Sequence, residues 1–126
     1  MDTQVRAALA HSGVVDITTT GRVSGAPRRI EIFLHSFDGR LVISGQPRPE
    51  KRAWLANLEA DPRLTLHLKR ELVADLPATA RIVSEAAERR TLLEHVARAW
   101  RRPDLEVMVA QSPLIVLTVE GYPGTD

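Results

Sequence analysis

The chain has 126 residues, 44% of them apolar, and a formal net charge of +1. That length suits one domain with a sizeable core, and the balanced charge excludes a general nucleic-acid or membrane-surface binder, so basic character must be local. The absence of cysteine removes disulfides, thiolate metal sites and cysteine nucleophiles together.

At the N-terminus, Met1-Asp2-Thr3-Gln4 lacks the basic-then-apolar pattern of a signal peptide. No apolar run approaches the ~20 residues of a membrane span, and a soluble cytoplasmic protein is the expectation. Thr3 to His11 reads as a short helix capped by Asp2 or Thr3, with Val5, Ala8 and Leu9 on one face. Ser12-Gly13 ends it. Val14 to Thr19 and Arg29 to Ser36 read as two strands; on the second, Ile30, Ile32 and Leu34 point one way and Glu31, Phe33 and His35 the other.

Between those strands lies Thr18-Thr19-Thr20-Gly21-Arg22-Val23-Ser24-Gly25-Ala26-Pro27-Arg28-Arg29. Glycine tolerates positive φ and proline fixes a turn value, so the segment predicts a hairpin turn. It carries Arg22, Arg28 and Arg29 and no acid. Backbone N–H groups around Gly21, Ser24 and Gly25 suit an anion-binding concavity, and guanidinium forks suit phosphate or carboxylate oxygens. A solvated basic hairpin is the alternative reading of the same residues.

Asp38-Gly39 predicts a tight hairpin into a strand from Leu41 to Ser44. The proline-rich Gly45 to Pro49 is a loop, and Pro49-Glu50 is expected to open a helix that runs to Ala60 and stops at Asp61-Pro62. Leu64, Leu66 and Leu68 alternate with Thr65, His67 and Lys69, a strand with one core face. Glu71 to Pro77 reads as a connection with short extended pieces, and Ala78 to Ser84 as the next strand. Glu85 to Arg102 is the longest helix, with an apolar stripe of Leu92, Leu93, Val96, Ala97 and Trp100. A short helix from Asp104 to Gln111 precedes a buried closing strand, Leu114 to Val119. Gly121-Tyr122-Pro123-Gly124 is expected to fray.

No hydrolase or metal-ligand spacing emerges. The histidines His11, His35, His67 and His95 stand on different elements, so no metal ligand is assigned. Glu31, His35 and His67 share the polar strand faces; they read either as a polar network or as a proton donor beside a cofactor ring. A serine–histidine–aspartate triad through Ser24 or Ser44 lacks a nucleophile turn.

Gly21-Arg22-x-Ser24-Gly25-x-Pro27-Arg28 resembles the signature turn of the deazaflavin-dependent nitroreductase family, split β-barrel proteins related to pyridoxamine-phosphate oxidase. Trp54-Leu55-x-Asn57-Leu58-x-x-Asp61-Pro62 resembles the family's helix downstream, and Ser112-Pro113-Leu114-Ile115-Val116-Leu117 its last strand. The resemblance spans Val14 to Val119. It implies a mainly β single domain over residues 1–126: an antiparallel split barrel, pyridoxamine-phosphate-oxidase-like, with helices packed outside. It also implies an oxidoreductase that passes hydride from a reduced deazaflavin (coenzyme F420), or from FMN, to a small electron acceptor such as a quinone or nitro compound. A homodimer is left open, and catalytic residues are not assigned.

The cofactor-binding positions it implies are Arg22, Ser24, Gly25, Pro27, Arg28 and Arg29 in the turn, Ser44 and Gly45 after the third strand, and Lys51, Arg52 and Trp54 at the helix. Family members often carry lysine where this chain has Val23 and Gly45, and proline where it has Glu31. The rival reading is therefore a non-catalytic split-barrel binder for heme or another planar ligand.

Overall fold

Asp2 caps the first helix as expected: its Oδ1 accepts from the backbone N–H of Gln4 at 2.7 Å and of Val5 at 3.2 Å. That helix, α1 (Thr3–Leu9), leads into strands β1 (Gly13–Thr20), β2 (Pro27–Phe37) and β3 (Arg40–Ser44). Helix α2 (Ala53–Ala60), strands β4 (Arg63–Lys69) and β5 (Val73–Ile82), helices α3 (Ala86–Trp100) and α4 (Leu105–Gln111), and strand β6 (Leu114–Thr118) complete the order. This is a computed structural model, and it describes residues 1–124.

The six strands close into a barrel in the order β1-β2-β3-β6-β5-β4, with every neighbouring pair antiparallel. Inward positions at period two fill it: Val15, Ile17, Leu34, Ile43, Leu64, Leu66, Ile115 and Leu117 are all buried in one cluster. Two helices stopper the ends. Leu9 of α1 joins the cluster from the Gly13 end of β1, and Trp54 and Leu58 of α2 join it at the other end, where the basic turn lies.

A second layer covers the outside of β3 and β6. Val42 and Leu114 bury themselves against Leu92, Leu93, Val96 and Ala97 of α3 and Met108 of α4. The β3–β6 wall is thus covered on both faces, which is why both strands read as continuous apolar runs rather than alternating ones. Asp38 and Gly39, at φ 51° and 72°, both take the left-handed conformation a two-residue hairpin needs.

Three expectations differ by more than a residue or two. Helix α2 starts at Ala53 rather than Pro49, because Arg52 is extended (φ −68°, ψ 145°) and Pro47 and Pro49 bias their preceding residues the same way. Strand β5 begins at Val73, not Ala78, so the expected connection is half of a hairpin with β4. The C-terminal segment does not fray at Tyr122. Its ring packs against the barrel core and its N–H donates to Val119 O at 3.0 Å.

Candidate functional site

The basic turn is closed by its own backbone. Gly21 N–H donates to Ala26 O and Gly25 N–H to Gly21 O, both at 2.8 Å, while Ala26 N–H donates to Ser24 Oγ at 3.1 Å. Gly25 sits at φ 71°, and a side chain at Gly21 would strike Ser24 Oγ at 2.9 Å. So both glycines are dictated by the turn, and their N–H groups are not the open concavity that the sequence suggests. Val23, at its tip, is 93% exposed.

Helix α2 locks the turn in place. Asn57, only 4% exposed, accepts from Arg22 twice, from the backbone N–H at 3.1 Å and from Nη1 at 3.0 Å. Its amide then donates to Thr19 Oγ1 at 3.1 Å. Asn57 stands in the helix motif but not among the implied cofactor-binding positions; an amide inside an apolar helical segment is the signal that marks it.

The two adjacent arginines part company. Arg29 is paired with Thr18 on the outer face and bonds Asp16 Oδ2 at 2.9 Å. Arg28 is paired with Thr19, whose side chain is buried inward, and stands exposed at the rim. Lys51 is bonded to Glu59 at 2.7 Å. Ser44 is buried with its hydroxyl donating to Pro113 O at 2.6 Å, and Trp54 is 9% exposed within the barrel core. Neither Ser24 nor Ser44 is bonded to a histidine among the described residues.

Arg52 is placed differently. Its guanidinium lies over Gly45, within 3.1 Å of where a side chain there would begin, and donates to Gln46 O. Burial, and then the nearby Arg48 charge, hold its pKa below the ordinary guanidinium value. Among the described residues, Arg22, Arg28, Arg48 and Arg52 have no carboxylate partner. These four cations flank helix α2 at one end of the barrel.

The outer face of β2, β1, β4 and β5 carries a second polar array. Lys69 bridges Asp16, at 2.6 Å, and Glu31. Its ammonium, and then Arg29, holds the Asp16 carboxyl below the usual range, while Asp16 first and Glu31 second raise Lys69. His67 sits between Thr18 and Asp75, with 2.7 Å to each. The three polar-face residues do not all meet. Glu31 and His67 flank Asp16 across β1, whereas His35 is buried beside Phe33 and Trp100, with ring centroids at 4.8 and 5.0 Å.

A cleft of about 790 Å³ opens at the opposite end of the barrel, between α1 and the β4–β5 turn; Ala8, His11, Val15, Leu68 and Arg70 line it. It is remote from Arg22, Arg28, Arg48 and Arg52, and size alone does not make it the site. Among the described residues, no helix is long and apolar enough to cross a membrane.

Solved structures share this architecture. An F420-H2 dependent reductase is 22% identical, with a TM-score of 0.64 over 83% of this chain and 93% of its own. An F420 reductase is 14% identical, with a TM-score of 0.67 over 93% and 94% of the two chains. A general stress protein 26 relative of the pyridoxinephosphate oxidase family, from Clostridium acetobutylicum, is 15% identical, with a TM-score of 0.67 over 93% and 82%. These likenesses establish the pyridoxamine-phosphate-oxidase-like split barrel. The model of the F420H(2)-dependent quinone reductase family matches residues 2–121, so the chain belongs to that family and is a deazaflavin-dependent oxidoreductase.

Proposed function

We propose that this protein reduces a small electron acceptor of the quinone class, with nitro compounds as a second class, and that the cofactor phosphate is held at the α2 end of the barrel. The observation that carries the placement is Arg52. A partly buried guanidinium beside a second one, with no carboxylate facing either, is a site short of negative charge, and a phosphate fits it.

Arg28, Arg48 and Arg52 would hold that phosphate, with Arg22 fixed at the rim by Asn57. Arg52 fills the space above Gly45, so a cation stands there although residue 45 brings none. Ser24, Gly25 and Pro27 act by shaping the turn. Arg29 and Lys51, already bonded to carboxylates, contribute less. Ser44 and Trp54 support the site from beneath, one tying β3 to Pro113 and the other filling the core.

When bound, the reduced deazaflavin supplies hydride; the protein supplies orientation and a place for the phosphate. FMN carries a phosphate too and tests whether the site reads more than that group.

Fluorescence titration of the protein with deazaflavin tests this reading. Arg52→Ala and Arg28→Ala should each weaken binding about 10-fold or more, the effect of losing one charge-assisted hydrogen bond, and affinity should fall with added salt. Unchanged affinity in both variants would reduce the arginines to a solvated rim. A Soret band with heme, alongside no deazaflavin binding, would replace the reading with a planar-ligand binder.

A further inference from the structure

Thr18, His67 and Asp75 stand on three adjacent strands. Asp75 is the cross-strand partner of His67, and Thr18 lies diagonally across from it on the other side. The imidazole side chain is only 9% exposed, yet both its nitrogens are engaged: Nδ1 lies 2.7 Å from Asp75 Oδ1 and Nε2 lies 2.7 Å from Thr18 Oγ1.

That geometry fixes the proton positions. A carboxylate only accepts, so Nδ1 carries a proton in both charge states and the exchangeable proton is the one at Nε2. With the ring neutral, Nε2 accepts the Thr18 O–H, and the hydroxyl offers its surroundings lone pairs. With the ring charged, Nε2–H donates to Oγ1, and the hydroxyl hydrogen is released to point elsewhere. Protonation of His67 therefore turns Thr18 from an acceptor into a donor.

We propose that Asp75, His67 and Thr18 deliver the proton that acceptor reduction requires, with Thr18 touching the acceptor and the other two acting through it. This rests on the functional reading above. Hydride adds two electrons and one hydrogen to a quinone and leaves an oxyanion. Thr18 gives its hydroxyl proton to that oxygen and takes the Nε2 proton of His67, leaving the ring neutral and the acceptor fully reduced. Once the product leaves, water returns a proton along the same path.

The placement suits the task. Thr18 is half-buried, faces Arg29 across the sheet, and stands three residues before Gly21, about 10 Å along β1 from the basic turn. The other charged groups on this face are matched: Asp16 and Glu31 face Lys69 and Arg29, and Thr65 is neutral. Asp75 is thus the carboxylate bonded to the ring.

Two measurements on the intact protein decide the proposal. Nitrogen-edited NMR should find neutral His67 as the Nδ1–H tautomer, and Asp75→Leu, which removes the acceptor, should lose that preference. In turnover with reduced deazaflavin and menadione, Thr18→Val should lower kcat about 100-fold, with deazaflavin affinity unchanged. Thr18→Ser, which keeps the hydroxyl, should restore most of kcat. An Nε2–H tautomer, or wild-type kcat in Thr18→Val, would overturn the relay and leave the functional reading intact. If wild-type protein binds no deazaflavin, the functional reading falls, and proton delivery falls with it.

Discussion

His35 is a titratable group set among rings, and its neutral form is what the fold selects. Phe33 and Trp100 lie against it, its Nε2 is buried without a partner, and burial lowers its pKa to about 4. An unfolded histidine titrates near 6.5. Between those values the unfolded chain binds the proton and the folded one does not, so stability is complete above about pH 6.5 and falls as pH drops toward 4. The loss is on the order of 2–3 kcal/mol. His35→Phe should flatten that slope: urea midpoints at pH 7 and pH 5 should differ clearly in wild type and little in the variant. The paired carboxylates Asp16, Asp61, Asp104, Glu88 and Glu106 all have lowered pKa values, so their contributions vanish only at more acid pH. Alternation was enough to put Glu31, His35 and His67 on polar faces. Which of them meet was not legible, because it depends on β1 standing between β2 and β4, a fact of strand order and not of local pattern.

At the scale of elements, one side chain holds a corner together. Arg89 of α3 donates to the carbonyls of Val109 at 2.8 Å, Val83 at 2.9 Å, Met108 at 3.3 Å and Ser112 at 2.6 Å. Three of these lie at or just past the C-terminal end of α4, where carbonyls lack helical partners and the helix dipole favours a cation. Helix α4, of seven residues, is too short to stand alone. Arg89→Gln should cost about 2–4 kcal/mol and release hydrogen-exchange protection first in 105–111. If α4 amides stay as protected as those of α3, the guanidinium is dispensable. The start of α3, within one residue, and the Asp38-Gly39 turn were readable because caps and left-handed residues are local chemistry; α3 ends at Trp100 and not at the expected Arg102. The first half of β5 was not. Pro77 suggested a break, yet β6 pairs with β5 only from Thr79 onward, so Pro77 faces an edge with no ladder bond to lose.

Across the whole molecule, two apolar clusters share the β3–β6 wall, with Ile43 and Ile115 inside the barrel and Val42 and Leu114 under the helices. Neither cluster can open without exposing that wall, so the chain should unfold in one step. Its two tryptophans make the test direct: Trp54 belongs to the barrel core and Trp100 packs on the helical layer. Trp54→Phe and Trp100→Phe each leave one reporter. Within each variant, the fluorescence transition in urea should coincide with the loss of circular dichroism. A helical layer that melts ahead of the barrel would separate the two signals in Trp54→Phe.

The guanidinium of Arg52 above Gly45 separates position from charge at this rim. Read by position, residue 45 is a glycine and carries no charge. Measured by volume, the positive charge is still present at the rim, delivered by a longer arm from seven residues downstream. A side chain begun at residue 45 would meet the Arg52 guanidinium and Pro113 Cγ, each at 3.1 Å, so one of them would have to give way by a few tenths of an ångström. Gly45→Lys would therefore press a second cation against the first, and like charges that close repel.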